Sequence, residues 1–484
     1  MKSLLAILIA SLLVVSCAVQ KKSPQALESL IQQIENNLVP GIVIEGEPGV
    51  VYNIEERMAH HKVPGLSIVV IKDGKIHWAK GYGYANMEEG RAVDENTMFQ
   101  AASISKPVAA SAVLKLVEEG KLDLDADVNL YLKGWKIKDS PFTSKEKITL
   151  RRLVTHTGGL TVHGFRGYAK GEAVPTVIQV LNGEEPANSA AIVPDTMPGS
   201  IWRYSGGGYT IAQKVMEDVS GKPFPNLMNE LVLSKIGMTN STYQQPFPEK
   251  YYQQASFGYR GDGQKVAGDW HTYPEMAAAG LWTTPTDLAK FVIAVQNSLK
   301  DKSKNFLSPE MTKAMLTKHL GDWGLGPSLS GEGDSLRFSH GGANEGFRCN
   351  MMGFAHLGDG VVVMTNSDNG GALAGELLRS VSKAYGWNVY KPTVKKIVVL
   401  EDDILKKYLG IYELQPGLHI EMILENGTLL AKQSWDGMKL RLYPESITKF
   451  FIKEEGMNVE FNLDEQEQAV SLTVNGSNVL KKKQ

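Results

Sequence analysis

The chain has 484 residues, more than one ordinary hydrophobic core fills, so two or three domains are expected. Lys and Arg number 51 against 53 Asp and Glu, a formal charge of -2, and basic runs are short, such as Lys21-Lys22 and, the longest, Lys481 to Lys483. Charges so balanced, with no basic stripe, argue against nucleic acid as a partner.

Residues 1–16, MKSLLAILIASLLVVS, carry a Lys at position 2 and an apolar run from Leu4 to Val15, the pattern of a secretory signal. The run is too short and wrongly flanked to span a bilayer. Val14-Val15-Ser16-Cys17 resembles a bacterial lipoprotein cleavage box, in which Cys17 becomes the lipidated mature N-terminus. Cys349 is then the one other cysteine, and in FRCNMMGF it reads as a buried strand residue. Ser23-Pro24 opens a helix with apolar residues at Leu27, Leu30, Ile31, Ile34 and Leu38, expected to space the body from a membrane or to dock on it.

From Tyr52 the pattern becomes denser. A helix over NIEERMAHHKV is followed by LSIVVIKDGKIHWAKGYG, two strands joined at Asp73-Gly74. Helices and loops run to about residue 335, where LRFSH, CNMMGF and VVVMTN predict three more strands, and Ala372 to Tyr385 predicts a closing helix. Strands at both ends with helices between predict one antiparallel sheet built from the two ends and flanked by helices. After about Asn388 the texture changes to short apolar runs broken by Asn426-Gly427, Asp436-Gly437, Glu455-Gly456 and Asn475-Gly476. Such regular turns predict a small antiparallel meander or barrel.

Four Ser-x-x-Lys quartets occur: SISK at 103, SKEK at 144, SVSK at 380 and SITK at 446. This spacing can join a nucleophile to its base, but it also arises by chance. SKEK is a charged surface stretch, SVSK lies inside the late helix, and SITK is expected on a strand that would part Ser from Lys. SISK stands at the start of a helix, VAASAVLKLVEEG, so Ser103 and Lys106 share a face. There the helix N-terminus favours an oxyanion, and surrounding Ala, Ile and Val would desolvate the amine and lower its pKa.

Downstream, IWRYSGGGY puts Tyr204 at the mouth of a glycine-rich turn, and FSHGGA ends a strand with His340, Gly341, Gly342 and Ala343. Glycines there let a substrate lie against the strand. The ordered set Ser103-x-x-Lys106, Tyr204-Ser205-Gly206 and His340-Gly341-Gly342 resembles the class C β-lactamase and penicillin-binding serine hydrolase superfamily. ITLRRLVTHTGGL at 148, MPGSIWRYSGGGY at 197 and MAAAGLWTTPTDLAKF at 276 resemble it too, and KKYLGIYEL opens a tail similar to the lipocalin-like module often appended to such hydrolases.

The resemblance implies a β-lactamase-like α/β (α+β) fold with a helical insert. It implies Ser103 as the acylated nucleophile, with Lys106 and a phenolate-like Tyr204 sharing its proton. It implies the N–H groups of Ser103 and Ala343 as oxyanion hole, and His340 facing Tyr204. Gly206, Gly341 and Gly342 would line the substrate. Two departures stand out: Gly206 replaces a common Asn, and His-Gly-Gly replaces Lys-Thr-Gly, which weakens the grip on a substrate carboxylate. The expected activity is therefore a peptidase or esterase on cell-wall or D-amino-acid peptides, ahead of a β-lactamase or a silent sensor. No metal or cofactor is called for. His156 is expected to brace a loop, and His60-His61 to sit on exposed helix surface. Trp202 and Arg203 are expected either to line the pocket or to serve structure.

The expected organisation is a signal peptide over 1–16, a lipid-anchored tether over 17–51, a hydrolase domain over 52–387, a linker over 388–402 and a β domain over 403–484. The expected address is the periplasmic face of a bacterial membrane.

Overall fold

The computed structural model describes residues 24–303, 305–435 and 437–483. The expected signal peptide and Cys17 lie outside them. At the centre is a seven-stranded antiparallel sheet, in the order Arg91–Ala92, Lys75–Asn86, Gly65–Lys72, Gly360–Thr365, Phe347–Phe354, Arg337–Asn344 and Ser328–Ser330. Gly65–Lys72 pairs with Gly360–Thr365 from Leu66 opposite Thr365 to Ile71 opposite Gly360, so the two ends of the domain meet in the middle of the sheet. Asp73 and Gly74 both take positive φ in the hairpin that starts it, as a tight primed turn requires.

The central strands are buried on both faces, because the period of two sends alternate side chains into separate cores. Val69, Ile71, Val362 and Met364 join the core on the side of the helical region. Leu66, Ile68, Val70, Val361 and Val363 join the opposite one, covered by helices Pro24–Glu35, Ile54–His60 and Gly370–Ala384. Of the two roles expected for the first helix, spacing the body from a membrane or docking on it, its described residues take the second. Ile31, Ile34 and Leu38 are buried in that second core, because the apolar stripe of the first helix finds the helix Gly370–Ala384 as its partner. Ser380 of the late quartet donates to the carbonyl of Ile34 and so serves this contact. His61 is also buried rather than exposed, joined at 3.2 Å to Glu376, which Arg57 grips as well.

The C-terminal part is a nine-stranded antiparallel sheet running from Lys439–Arg441 at one edge to Tyr443–Pro444 at the other. Leu442 alone separates these edge strands in sequence, so the sheet curls into a nearly closed barrel around Tyr408, Tyr412, Phe450, Phe461 and Leu472. SITK lies in a turn that ends where Lys449 begins the strand Lys449–Ile452, with Ser446 Oγ accepting from the N–H of Lys449. The strand Ile42–Ile44 pairs in parallel with Thr393–Lys395 and packs on Tyr443 and Phe451 of the barrel. The segments expected as tether and linker therefore clasp body and barrel together. Among the described residues no helix is long and apolar enough to cross a membrane.

Candidate active site

The site is assembled where the helical region meets the strand Arg337–Asn344. A short turn, Ala102–Ile104, leads into the helix Ser105–Glu118. Ala102 sits at φ 49°, a left-handed conformation that costs a non-glycine residue on the order of 1 kcal/mol and sets Ser103 on a sharp bend. Ser103 remains partly open, whereas Lys106 is buried, 2% exposed. One turn of helix brings the Lys106 Nζ to 3.1 Å from Ser103 Oγ, and the carbonyl of Ala278 accepts from it at 2.8 Å. No carboxylate pairs with it among the described residues, and burial lowers its pKa from 10.5 to about 7. Of the four quartets, SISK alone places its amine on its serine.

Tyr204 shares a hydrogen bond with Ser103, and its ring centroid is 4.9 Å from the Lys106 amine. The expected phenolate character is corrected: burial raises the Tyr204 pKa well above its ordinary value, outweighing the bond to Ser103. Burial thus favours the neutral form of both groups, which leaves the Lys106 amine as the stronger proton acceptor near neutral pH. His156 is more than a loop brace. Its ring stacks on Tyr204 at 4.2 Å, its Nδ1 accepts from the N–H of Ser205 and its carbonyl from the N–H of Arg203. It holds the tyrosine from both flanking residues and from one ring face.

Ser328–Ser330 covers the strand of His340 only as far as Ser339. Beyond it, Gly341, Gly342 and Ala343 pair with Asn350, Cys349 and Arg348 on one side and run beside the Ser103 turn on the other. A Cβ on Gly342 would stand 2.2 Å from the Ala101 carbonyl, so only glycine permits this approach. His340 lines the cleft with its Nδ1 2.6 Å from the carbonyl of Gly341, and its Nε2 is buried without a partner among the described residues. A carbonyl can only accept, so Nδ1 carries the proton and Nε2 is left an acceptor. Burial, with the Lys106 charge adding to it, lowers its pKa to about 3.

Ser103, Lys106, Tyr204, His340, Gly341, Gly342 and Ala343 all line one cleft of about 560 Å³. Gly206 begins the helix Gly206–Ser220 next to it, and a Cβ there would meet the Phe165 ring at 3.0 Å and the His163 carbonyl at 3.1 Å. Phe165 thus fills the space an asparagine would need. Phe165, His163, Trp323 and Arg348 are lining residues that motif reading missed. They come from loops and a neighbouring strand, where no spacing rule marks them. Trp202 packs on Trp323, and Arg203 pairs with Asp195, so the latter serves structure. Cys349 is a buried strand residue whose thiol burial pushes up to about 12.

Residues 51–385 match the family model described as Beta-lactamase. The chain belongs to the beta-lactamase family. This makes it, in kind, a serine hydrolase of the superfamily that includes the penicillin-binding proteins. Penicillin-binding protein 4* of Bacillus subtilis (strain 168) is 23% identical over 427 residues, 82% of this chain and 90% of that one. Protein flp of Staphylococcus aureus (strain N315) is 24% identical over 319 residues, 65% of this chain and 61% of that protein. Esterase EstB of Burkholderia gladioli is 29% identical over 203 residues, 41% of this chain and 51% of the esterase. Among solved structures, the octameric penicillin-binding protein homologue from Pyrococcus abyssi is 24% identical, with a TM-score of 0.62 over 89% of this chain and 98% of that one. That likeness bears on the fold. In this family's terms the body spans 51–385, and the barrel lies beyond it.

Proposed function

We propose that the protein is an exported peptidase or esterase that cleaves amide or ester bonds through an acyl-enzyme on Ser103. Cell-wall-related or D-amino-acid peptides are the substrate class, and a lipid on Cys17 holds the protein at the periplasmic face of a membrane. The observation that carries the reading is the buried Lys106 amine 3.1 Å from Ser103 Oγ. With a pKa near 7 it is substantially neutral in neutral solution and able to take a proton.

In the forward step Ser103 Oγ attacks the carbonyl carbon while its proton passes to Lys106. The N–H groups of Ser103 and Ala343 stabilise the oxyanion, each such donor being worth on the order of 10² to 10³ in rate. The Tyr204 hydroxyl gives its proton to the leaving nitrogen or oxygen and regains one from the Lys106 ammonium. Water then repeats the sequence in reverse on the acyl-serine. The names of two relatives, a penicillin-binding protein and an esterase, support an acyl-transfer chemistry. Phe165 in the place of a gripping amide favours peptidase or esterase over β-lactamase.

The test uses protein lacking residues 1–17, treated with a fluorophosphonate and separately with a reporter penicillin, and followed by intact mass beside Ser103→Ala. A fluorophosphonate adduct confined to Ser103, with penicillin ignored or slowly released, is expected. No adduct on Ser103 with either reagent would replace the hydrolase reading by that of a binding protein. Incorporation of radiolabelled fatty acid in the full chain, lost in Cys17→Ala, tests the anchor.

A further inference from the structure

The leaving group must lie beside the Tyr204 hydroxyl that protonates it, so the groups around Tyr204 decide what it can be. Trp323 stands at 5.9 Å from the Tyr204 ring and His340 at 6.1 Å, with Trp323 edge-on to His340 at 5.5 Å. This is a wall of rings. Among the described residues, the lysine and arginine lining the cleft are Lys106 and Arg348. Lys106 is committed to Ser103 and the Ala278 carbonyl. Arg348 donates to the carbonyls of Asn344 and Phe347 and pairs with Asp368 at 3.0 Å. Among the described residues, neither of these cations faces the Tyr204 wall as a free partner for a carboxylate, and the remaining ionisable ring of the lining, His163, lies 4.8 Å from Tyr204 on its other side from the strand of His340 as an exposed loop residue.

Among the described residues, His156 Nε2 and His340 Nε2 are the unsatisfied ring nitrogens around Tyr204, and of the two only His340 lines the cleft. Its Nε2 belongs to a side chain 5% exposed, and the proton on Nδ1 leaves it an acceptor. A carboxylate placed against it would lose its water, meet a lone pair and find no countercharge. A substrate N–H or O–H would instead satisfy a nitrogen that otherwise stays orphaned.

We propose that the leaving-group side of the cleft takes an uncharged group bearing a hydrogen-bond donor, such as a carboxamide or a peptide N–H, and rejects a free carboxylate. This rests on the acyl-enzyme reading above. It narrows the substrates to amidated or internal peptide bonds and esters of uncharged alcohols, and turns away peptides whose leaving residue ends in a free carboxylate. The low pKa of His340 keeps the ring neutral throughout the physiological range.

The test compares 4-acetoxybenzamide with 4-acetoxybenzoate, which share an acetyl group and differ in the charge of the leaving phenol. Each kcat/KM is divided by the ester's own hydroxide rate, and Ser103→Ala supplies the background. The carboxamide ester should be favoured about tenfold or more, since a site with a buried polar group discriminates against partners that leave it unpaired. In His340→Lys the gap should close or reverse. Should that variant not fold, inhibition of the unaltered protein by benzamide and by benzoate gives the same reading, with benzamide expected to bind more tightly. Ser103-dependent hydrolysis without preference, or with benzoate favoured, would overturn the inference and leave the hydrolase standing. No Ser103-dependent hydrolysis of either ester would remove the hydrolase reading and this inference with it.

Discussion

Lys106 spends stability to keep a usable amine. Its pKa in the folded chain, about 7, lies below its ordinary 10.5, so between those values the folded protein binds fewer protons than the unfolded one. Stability therefore rises with pH across that window, and below it the full cost is carried. Lys106→Met should raise the thermal midpoint at pH 6, with the gain fading towards pH 11, while acylation of Ser103 falls by about 10² to 10⁴. On the proposed role of the neutral amine as acceptor, kcat/KM should climb as pH passes through about 7 and level off above it, measured with an uncharged ester. Glu275 shows the opposite sign. Its carboxyl oxygens are buried without partners among the described residues, and burial raises its pKa from 4.5 to about 8. The folded chain binds the extra proton between those values, so stability falls as pH rises through the window. Glu275→Gln should match the parent at pH 4 and exceed it at pH 8 in urea denaturation.

At the scale of elements, the site depends on how closely one strand approaches one turn. Gly342→Ala puts a Cβ 2.2 Å from the Ala101 carbonyl, so the strand bearing Ala343 must move away from Ser103. The expected result is a folded protein, by circular dichroism, with kcat lowered by about 10² to 10³, the worth of one oxyanion donor. The strand and its glycines were legible in sequence, as were the Ser103 helix, with its phase and apolar flanks, and the barrel's turns. Asn426-Gly427 and Asn475-Gly476 all take the positive φ their dipeptides announce. Tyr204 as a phenolate was misread because the sequence shows the neighbouring amine and not the depth of burial that outweighs it. Phe165 and Trp323 escaped notice because contact across distant loops leaves no local period. The departure at Gly206 was visible, but its reason, a phenylalanine ring from another loop, was not.

For the whole molecule, the described part of the N-terminal segment belongs to the core. The apolar stripe at Ile31, Ile34 and Leu38 announced a helix with a partner, and only the fold could say which. Removing residues 1–51 exposes the surface those three side chains cover, so the body should lose roughly 6 kcal/mol in urea denaturation, at about 2 per buried aliphatic side chain. The same deletion to 51 takes away Ile42 and Ile44, whose place on Tyr443 and Phe451 joins barrel to body. Proteolysis near Thr393–Lys395 should therefore quicken in the shorter protein.

That docked helix also sets a leash. Its first residue, Pro24, is seven steps from Cys17, and a fully extended chain gains at most about 3.5 Å per residue, so a lipid at Cys17 would hold the start of the folded body within about 25 Å of its attachment. A free segment to residue 51 would have let the enzyme range several times farther. The reach of Ser103 would then be set by the size of the body itself, and its work confined to bonds lying within one molecular diameter of the lipid surface.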